Sequence, residues 1–282
     1  PRVHVSGYSG THSAPAHGGG TGAALKAEHH ILLSHALAMQ AFRDSGRQGQ
    51  MGITLSMGVA YPLGDSDDDA RAARNAQDYD LYWNLDAIYR GCYPELVRKP
   101  EVAALMPDTW ESDCARICEA GSDFIGVNHY RANWAEHASD SPLGFRFVYD
   151  DRVPVNETTG IGWPIVPEGM YETLTEVGKR CPGTPVYVTE NGYADKMPVE
   201  QGWMLDDPER ISFLERYLRS AHRAMSEGVD LKGYFVWSLL DNFEWGSYDP
   251  RFGLVAVDYR TQQRALKKSA EWYRGLIADR TL

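Results

Sequence analysis

The run Val186-Tyr187-Val188-Thr189-Glu190-Asn191-Gly192 constrains the fold more than any other part of this chain. Four β-prone residues lead straight into a carboxylate, an amide and a glycine. This pattern predicts a strand that delivers an acidic side chain to its own C-terminal tip, with Gly192 letting the chain turn away. A second delivery follows: Gly233-Tyr234-Phe235-Val236-Trp237 reads as a strand and empties into Ser238-Leu239-Leu240-Asp241-Asn242-Phe243-Glu244-Trp245. In enzymes built on a barrel of parallel strands, chemistry collects at the C-terminal strand ends. Two strand ends rich in aromatics, amides and carboxylates suit a site that handles sugars.

The rest of the chain alternates strand and helix. Helices are expected over 22–45, stopped by Gly46; 67–89, with an acidic first turn; 109–119; 168–180; and from Asp207-Pro208, read as a cap, to Gly228. The helix after Pro208 has an expected apolar stripe of Ile211, Leu214, Leu218, Ala221 and Met225. A last helix is expected over 263–277. Further strands are expected over 51–57 and 123–128, and residues 131–167 read as a long irregular connection of the functional kind. Four short apolar strands, each followed by a helix, predict half of an eight-stranded α/β barrel with strands buried on both faces. Residues 1–282 are expected to form one part of a single barrel domain.

Composition narrows the partners. A net charge of −11 argues against nucleic acid and anionic membrane surfaces. No apolar run approaches a bilayer span. The four cysteines, Cys92, Cys114, Cys118 and Cys181, form no CxxC pair, which favours a reduced, cytoplasmic protein. His29, His30 and His35 share a helix but lack an i, i+4 histidine pair with an acidic partner, so polar packing is expected and no metal is implied. No phosphate-binding glycine loop follows a strand; Gly18-Gly19-Gly20 reads as a turn. Eight Trp and sixteen Tyr are shared in expectation between a large core and a carbohydrate cleft, because sugar rings present apolar C–H faces to aromatic planes.

These motifs resemble glycoside hydrolase family 1, the β-glucosidase family, over nearly the whole chain. Val188-Thr189-Glu190-Asn191-Gly192 resembles its nucleophile motif, and Trp237 to Trp245 its sugar-binding signature, continued by Arg251-Phe252-Gly253-Leu254 and Val257-Asp258-Tyr259. Gly126-Val127-Asn128-His129-Tyr130 resembles the sixth-strand motif, and Tyr61-Pro62 with Arg90-Gly91-Cys92-Tyr93-Pro94 fits the fifth unit. The resemblance implies a TIM (β/α)8 barrel of which this chain supplies about strands 5–8. It implies a retaining glycosidase that uses two carboxyl groups, with no cofactor and no metal. Glu190 is then the nucleophile, Tyr130 a hydrogen-bond donor to it, and Asn128 a pocket neighbour. Glu244 and Trp245 would bind the outer hydroxyls of the non-reducing sugar, Trp237 would lie under its ring, Phe252 would close that side, and Trp163 would line the leaving-group side. The carboxylate of Glu244 favours an unphosphorylated sugar. His129 and Ser56 depart from the family's common residues at their positions.

The family's acid/base lies in an Asn-Glu-Pro motif ending the fourth strand. Pro1-Arg2-Val3-His4-Val5-Ser6-Gly7-Tyr8 resembles the stretch just after that Glu, so Pro1 is expected at the barrel mouth, next to the Glu190 pocket. A segment or second chain carrying the N-terminal half of the barrel is the expected partner, beside a β-glucoside or cello-oligosaccharide substrate. The glycone is expected to be glucose, or galactose or fucose. Two alternatives stay open: a thioglucosidase-like relative, and a catalytically incomplete half that only binds glycans.

Overall fold

The computed structural model describes residues 2–11, 13–197 and 203–281. Pro1 lies outside the described residues, and with it the expectation that it sits beside the Glu190 pocket. Helices α1 (Arg2–Ser9) and α2 (Gly20–Asp44) pack together and lead into strand β1 (Ile53–Ser56). The turn expected at Gly18 to Gly20 is the hinge between them, with Gly18 and Gly20 at positive φ. The chain continues through β2 (Ala60–Pro62), α3 (Asp67–Gln77), α4 (Trp83–Arg90), α5 (Pro100–Ala103), α6 (Trp110–Ala120) and β3 (Ile125–Asn128). Next come β4 (Asn133–His137), β5 (Phe145–Val148), α7 (Pro167–Arg180), β6 (Val186–Asn191) and β7 (Asp195–Lys196). Helix α8 (Pro208–Ser226), β8 (Leu231–Val236), β9 (Pro250–Arg251), β10 (Val255–Val257), β11 (Arg264–Leu266) and α9 (Lys268–Asp279) complete it.

The central sheet is four-stranded and parallel, in the order β1-β3-β6-β8. Its strands follow chain order, each returning through helices, as in one wall of a (β/α)8 barrel. One face of the sheet meets the helices. Leu55, Ile125, Val127, Val186 and Val188 are fully buried there, against Leu85, Ile88, Ile117, Met170, Leu174, Val177, Phe213 and Leu214. Burying each such side chain contributes about 1.5–3 kcal/mol, which is what fixes the register of the sheet. The opposite face carries Thr54, Gly126, Tyr187, Thr189 and Phe235. Phe235 is 56% exposed there, and Tyr187 packs edge-on against Phe124.

Several expectations change against this structure. The connection 131–167 is not wholly irregular: β4 and β5 form an antiparallel hairpin, and β4 also pairs with β2 in a separate three-stranded sheet. The last helix begins at Lys268 and not at 263, because Arg264 to Leu266 is taken into pairing with β10. The expected helix 67–89 is interrupted by a wide π turn at Asp78–Tyr82, which carries Asp80 inward to accept from the Gly58 N–H and the Asn133 amide. The buried face of α8 is Phe213, Leu214, Tyr217, Ala221 and Ala224, while Met225 is exposed. Asp207 does not cap α8 with its side chain; its carboxylate accepts from Arg210 and from Ser269 at the start of α9.

Candidate active site

Strands β3, β6 and β8 end side by side, and their register brings the motif residues together. Asn128 pairs across from Glu190, with a register shift just before it. Asn191 pairs across from Val236, again beside a shift. Such irregularities re-aim side chains at a sheet rim. The Thr189 hydroxyl donates to Asn128 Oδ1 at 2.7 Å, and the Asn191 amide donates to the His129 carbonyl at 2.7 Å. Tyr234 donates its hydroxyl to Asn191 Oδ1. Strand end and neighbours are therefore locked on both sides of Glu190.

Glu190 points out of this frame into the open end of the sheet. Its Oε2 accepts the Tyr130 hydroxyl at 2.7 Å. Burial, then the negative charge of Glu190 and the hydrogen bond to it, hold the Tyr130 phenol well above the ordinary tyrosine range. Tyr130 is thus a fixed donor that stays neutral beside a carboxylate. Its ring meets Trp163 and Phe252 with ring centres 5.4 and 5.8 Å away, and Trp163 and Phe252 lie 5.9 Å apart. Three aromatic rings thereby form one wall.

A second set of side chains comes from the loop after β8. Trp237 donates its indole N–H to Glu244 Oε1 at 2.9 Å. Burial raises the Glu244 carboxyl above its usual range, and repulsion from Glu190 adds to this against the Trp237 hydrogen bond. Two carboxylates that feel each other across one space are the groups expected where a charge-bearing reaction centre sits. Gly192 lets this loop close down: a Cβ at that position would lie 1.9 Å from the Trp237 carbonyl oxygen. The structure brings Glu190, Tyr130, Asn128, Phe252 and Trp163 into one contact network, and joins Trp237 with Glu244 in a second that abuts it where Ser238 N donates to the Phe252 carbonyl at 3.2 Å. Trp245 stands apart at the rim, 82% exposed.

Beneath the loop lies a buried ionic layer whose cations, Lys267 and Arg210, belong to no sequence motif. Asp241, named in the motif but given no role there, accepts from Gly253 N at 2.9 Å, Val257 N at 3.3 Å and Lys267 Nζ at 3.0 Å. Lys267 is fully buried, and desolvation lowers its pKa. Arg210 donates to Asp207 and Asp195 and to the carbonyls of Tyr193, Arg251 and Phe252. Those cations pin the segments carrying Phe252 and Glu244 to α8 and α9. Lys267 sits in a polar C-terminal stretch, where only tertiary pairing gives it this task.

Among the described residues, no group of three or more His, Cys, Asp or Glu could hold a metal ion. His29 instead bonds Tyr93 at 2.8 Å and Asp113 at 3.1 Å in the core, and His35 bonds the Gly121 carbonyl. All four cysteines are free thiols. Among the described residues, no helix is long and apolar enough to cross a membrane.

The model of the family described as Glycosyl hydrolase family 1 matches residues 2–281. Beta-glucosidase A of Thermotoga maritima is 40% identical over 261 residues, covering 92% of this chain and 57% of the relative. A bifunctional beta-D-glucosidase/beta-D-fucosidase of Bifidobacterium breve is 36% identical, covering 98% of this chain and 62% of the relative. The solved structure of a beta-glucosidase from Thermotoga maritima in complex with deoxynojirimycin superposes with a TM-score of 0.86 at 37% identity, covering 99% of this chain and 63% of that one. The chain therefore spans less than two thirds of the length of each of these relatives.

Proposed function

The chain belongs to glycosyl hydrolase family 1, and from that premise we propose that it is the nucleophile-bearing half of a retaining β-glucosidase. The observation that carries the reading is the 2.7 Å hydrogen bond from Tyr130 to Glu190 at the end of a barrel strand. A glycosyl-enzyme intermediate needs a carboxylate held ionised and aimed, and a donor that cannot itself ionise supplies both. In this reading Glu190 attacks the anomeric carbon of a terminal β-linked sugar. A second carboxyl, about 5–5.5 Å from it and supplied from outside residues 1–282, protonates the leaving oxygen and later activates water.

Trp237 would then lie under the sugar ring and Glu244 would accept from its outer hydroxyls. Trp245 would fold its exposed ring over the same hydroxyls, and Phe252 would close that end. Trp163 would line the leaving-group side. Glucose is the proposed glycone; the relative named as a β-D-glucosidase/β-D-fucosidase supports fucose as a second. The deoxynojirimycin complex of a structural relative supports a sugar-shaped occupant.

We also propose that four further strands close the barrel. Support comes from the position of β1 and β8 at the edges of the central sheet and from the exposure of Phe235 on its inward face. Unpaired edges and exposed inward faces are what such strands would cover. Free thiols support a reducing, cytoplasmic setting. The test of the catalytic assignment is covalent trapping. A 2-deoxy-2-fluoro glucoside incubated with the assembled enzyme should label Glu190, read by peptide mass spectrometry; a label on any other residue overturns the reading.

A further inference from the structure

We propose that Asp80, on the π turn between α3 and α4, is a positioning residue for Tyr130: it holds the turn between β3 and β4 where the Tyr130 hydroxyl meets Glu190. The proposal rests on the reading of Glu190 as nucleophile with Tyr130 as its donor, and adds a residue that sets this bond from outside the pocket. Two connections run side by side at the C-terminal end of the sheet: residues 57–59, between β1 and β2, and residues 129–132, between β3 and β4. Met57 N donates to the Asn128 carbonyl at 3.1 Å, and Asn133 N donates to the Val59 carbonyl at 2.9 Å. The His129 ring bonds the Met57 carbonyl at 3.1 Å. At Gly58 the two backbones touch, since a Cβ there would lie 2.8 Å from the Arg131 carbonyl oxygen. Tyr130 sits within the second connection.

Asp80 closes this frame from the helix side. Its Oδ2 accepts from Gly58 N, in the first connection, at 3.1 Å, and from Asn133 Nδ2, at the end of the second, at 2.9 Å. One oxygen thus bridges both connections, and Asp80 and Asn133 are both buried. Helix propensity and core packing both disfavour Asp at a buried position in a helical run. Here the run opens into a π turn at Asp78–Tyr82, a local irregularity of the kind that concentrates at functional sites. The connection that Asp80 holds meets the nucleophile twice. His129 N donates to the Glu190 carbonyl at 2.9 Å, and the Tyr130 hydroxyl donates to the Glu190 side chain at 2.7 Å. A displacement of about 1 Å in that connection takes the second bond out of reach.

A double-mutant cycle on the assembled enzyme, assayed with an aryl β-glucoside, decides the matter. Asp80→Ala should lower kcat about five- to twentyfold with KM within about twofold, the mark of an interaction made in the transition state. Beside Tyr130→Phe the same substitution should cost less than about twofold, because the bond it acts through is already gone. A substitution that only loosened the fold would cost the same in both backgrounds. Should Asp80→Ala fail to fold, Asp80→Asn takes its place; it keeps one acceptor oxygen, and its smaller loss should again vanish beside Tyr130→Phe. Crystal structures give a readout independent of rate: the Tyr130–Glu190 bond of 2.7 Å should open beyond about 3.5 Å in the Asp80 variant. A loss that adds to that of Tyr130→Phe, or a bond that stays closed, overturns the proposal. If Tyr130→Phe itself leaves the rate unchanged, the reading of Tyr130 as a donor in the reaction fails, and the bond length alone decides Asp80.

Discussion

Replacing Tyr130 by Phe isolates one atom of the proposed machinery. The ring stays, and with it the contacts to Trp163 and Phe252 at 5.4 and 5.8 Å. Only the hydroxyl is lost, and with it the 2.7 Å bond to Glu190 Oε2. Glu190 is partly open, so water replaces the donor and the fold loses little. A hydrogen bond to a charged partner contributes about 1.5–3 kcal/mol. At about 1.36 kcal/mol per factor of ten, that is a fall of about 10- to 150-fold in kcat/KM on an aryl β-glucoside. The melting temperature should move by less than the equivalent of about 1 kcal/mol, since no packing is removed. Because the Tyr130 phenol is held above its ordinary range, it stays a donor through alkaline pH and the wild-type profile should show no tyrosine ionisation. A fall smaller than twofold, or a large loss of stability without loss of rate, would refute the argument that this hydroxyl acts on Glu190.

The remaining expectations are these. Gly192→Ala should unseat the loop after β8 and cost about 1–3 kcal/mol or more in chemical denaturation, because its Cβ would meet the Trp237 carbonyl at 1.9 Å; an unchanged midpoint contradicts this. Asp241→Asn strands the buried ammonium of Lys267 and should cost about 3–5 kcal/mol, with Asp241→Asn/Lys267→Met recovering part of it; a double variant no better than the single one argues against the pair. Glu244 has a folded pKa raised from 4.5, so the folded state holds its proton longer than the unfolded chain does and stability falls as pH rises through that window. Glu244→Gln should therefore gain on the wild type between acid and neutral pH; parallel stability curves would disprove the shift. Residues 1–282 alone should give negligible hydrolysis of an aryl β-glucoside, and full activity from the monomeric chain would contradict the need for a second, external carboxyl.

The parallel strands were legible because their signal is local. Val186 to Thr189 and Gly233 to Val236 are β-prone, and β6 and β8 lie there, β6 running on through Glu190 and Asn191. What stayed hidden was decided by pairing between distant segments. Arg264-Ala265-Leu266 suits a helix as well as a strand, and only β10 chooses for it. Phe145-Arg146-Phe147-Val148 is too short and too irregular in polarity to read as a strand beside Gly144, and only its pairing with β4 makes it one. The α8 stripe was placed by Leu218 and Met225, which are apolar without being turned to the core; Tyr217 and Phe213, stacked with ring centres 4.1 Å apart, take the buried face.

The candidate site divides along the same line. Glu190, Glu244, Trp237 and Phe252 belong to contiguous motifs, so the chain itself announces them. Lys267 and Arg210 do not, because a cation is ordinary anywhere in a helical sequence until an acid is buried against it. Their importance follows from electrostatics: a loop that must present Glu244 in a half-buried position needs its backbone held from below. Asp241 ties that loop to Gly253, Val257 and Lys267. Arg210 ties the Phe252 segment to α8 and to Asp195. Removing one partner of such a layer exposes the full desolvation cost of the other. The carboxylates at the rim are therefore only as well placed as the buried ions beneath them: substitution at Lys267 should unseat the loop that carries Glu244, and substitution at Arg210 should reach Tyr130 through the Phe252 ring, whose centre lies 5.8 Å from that of Tyr130.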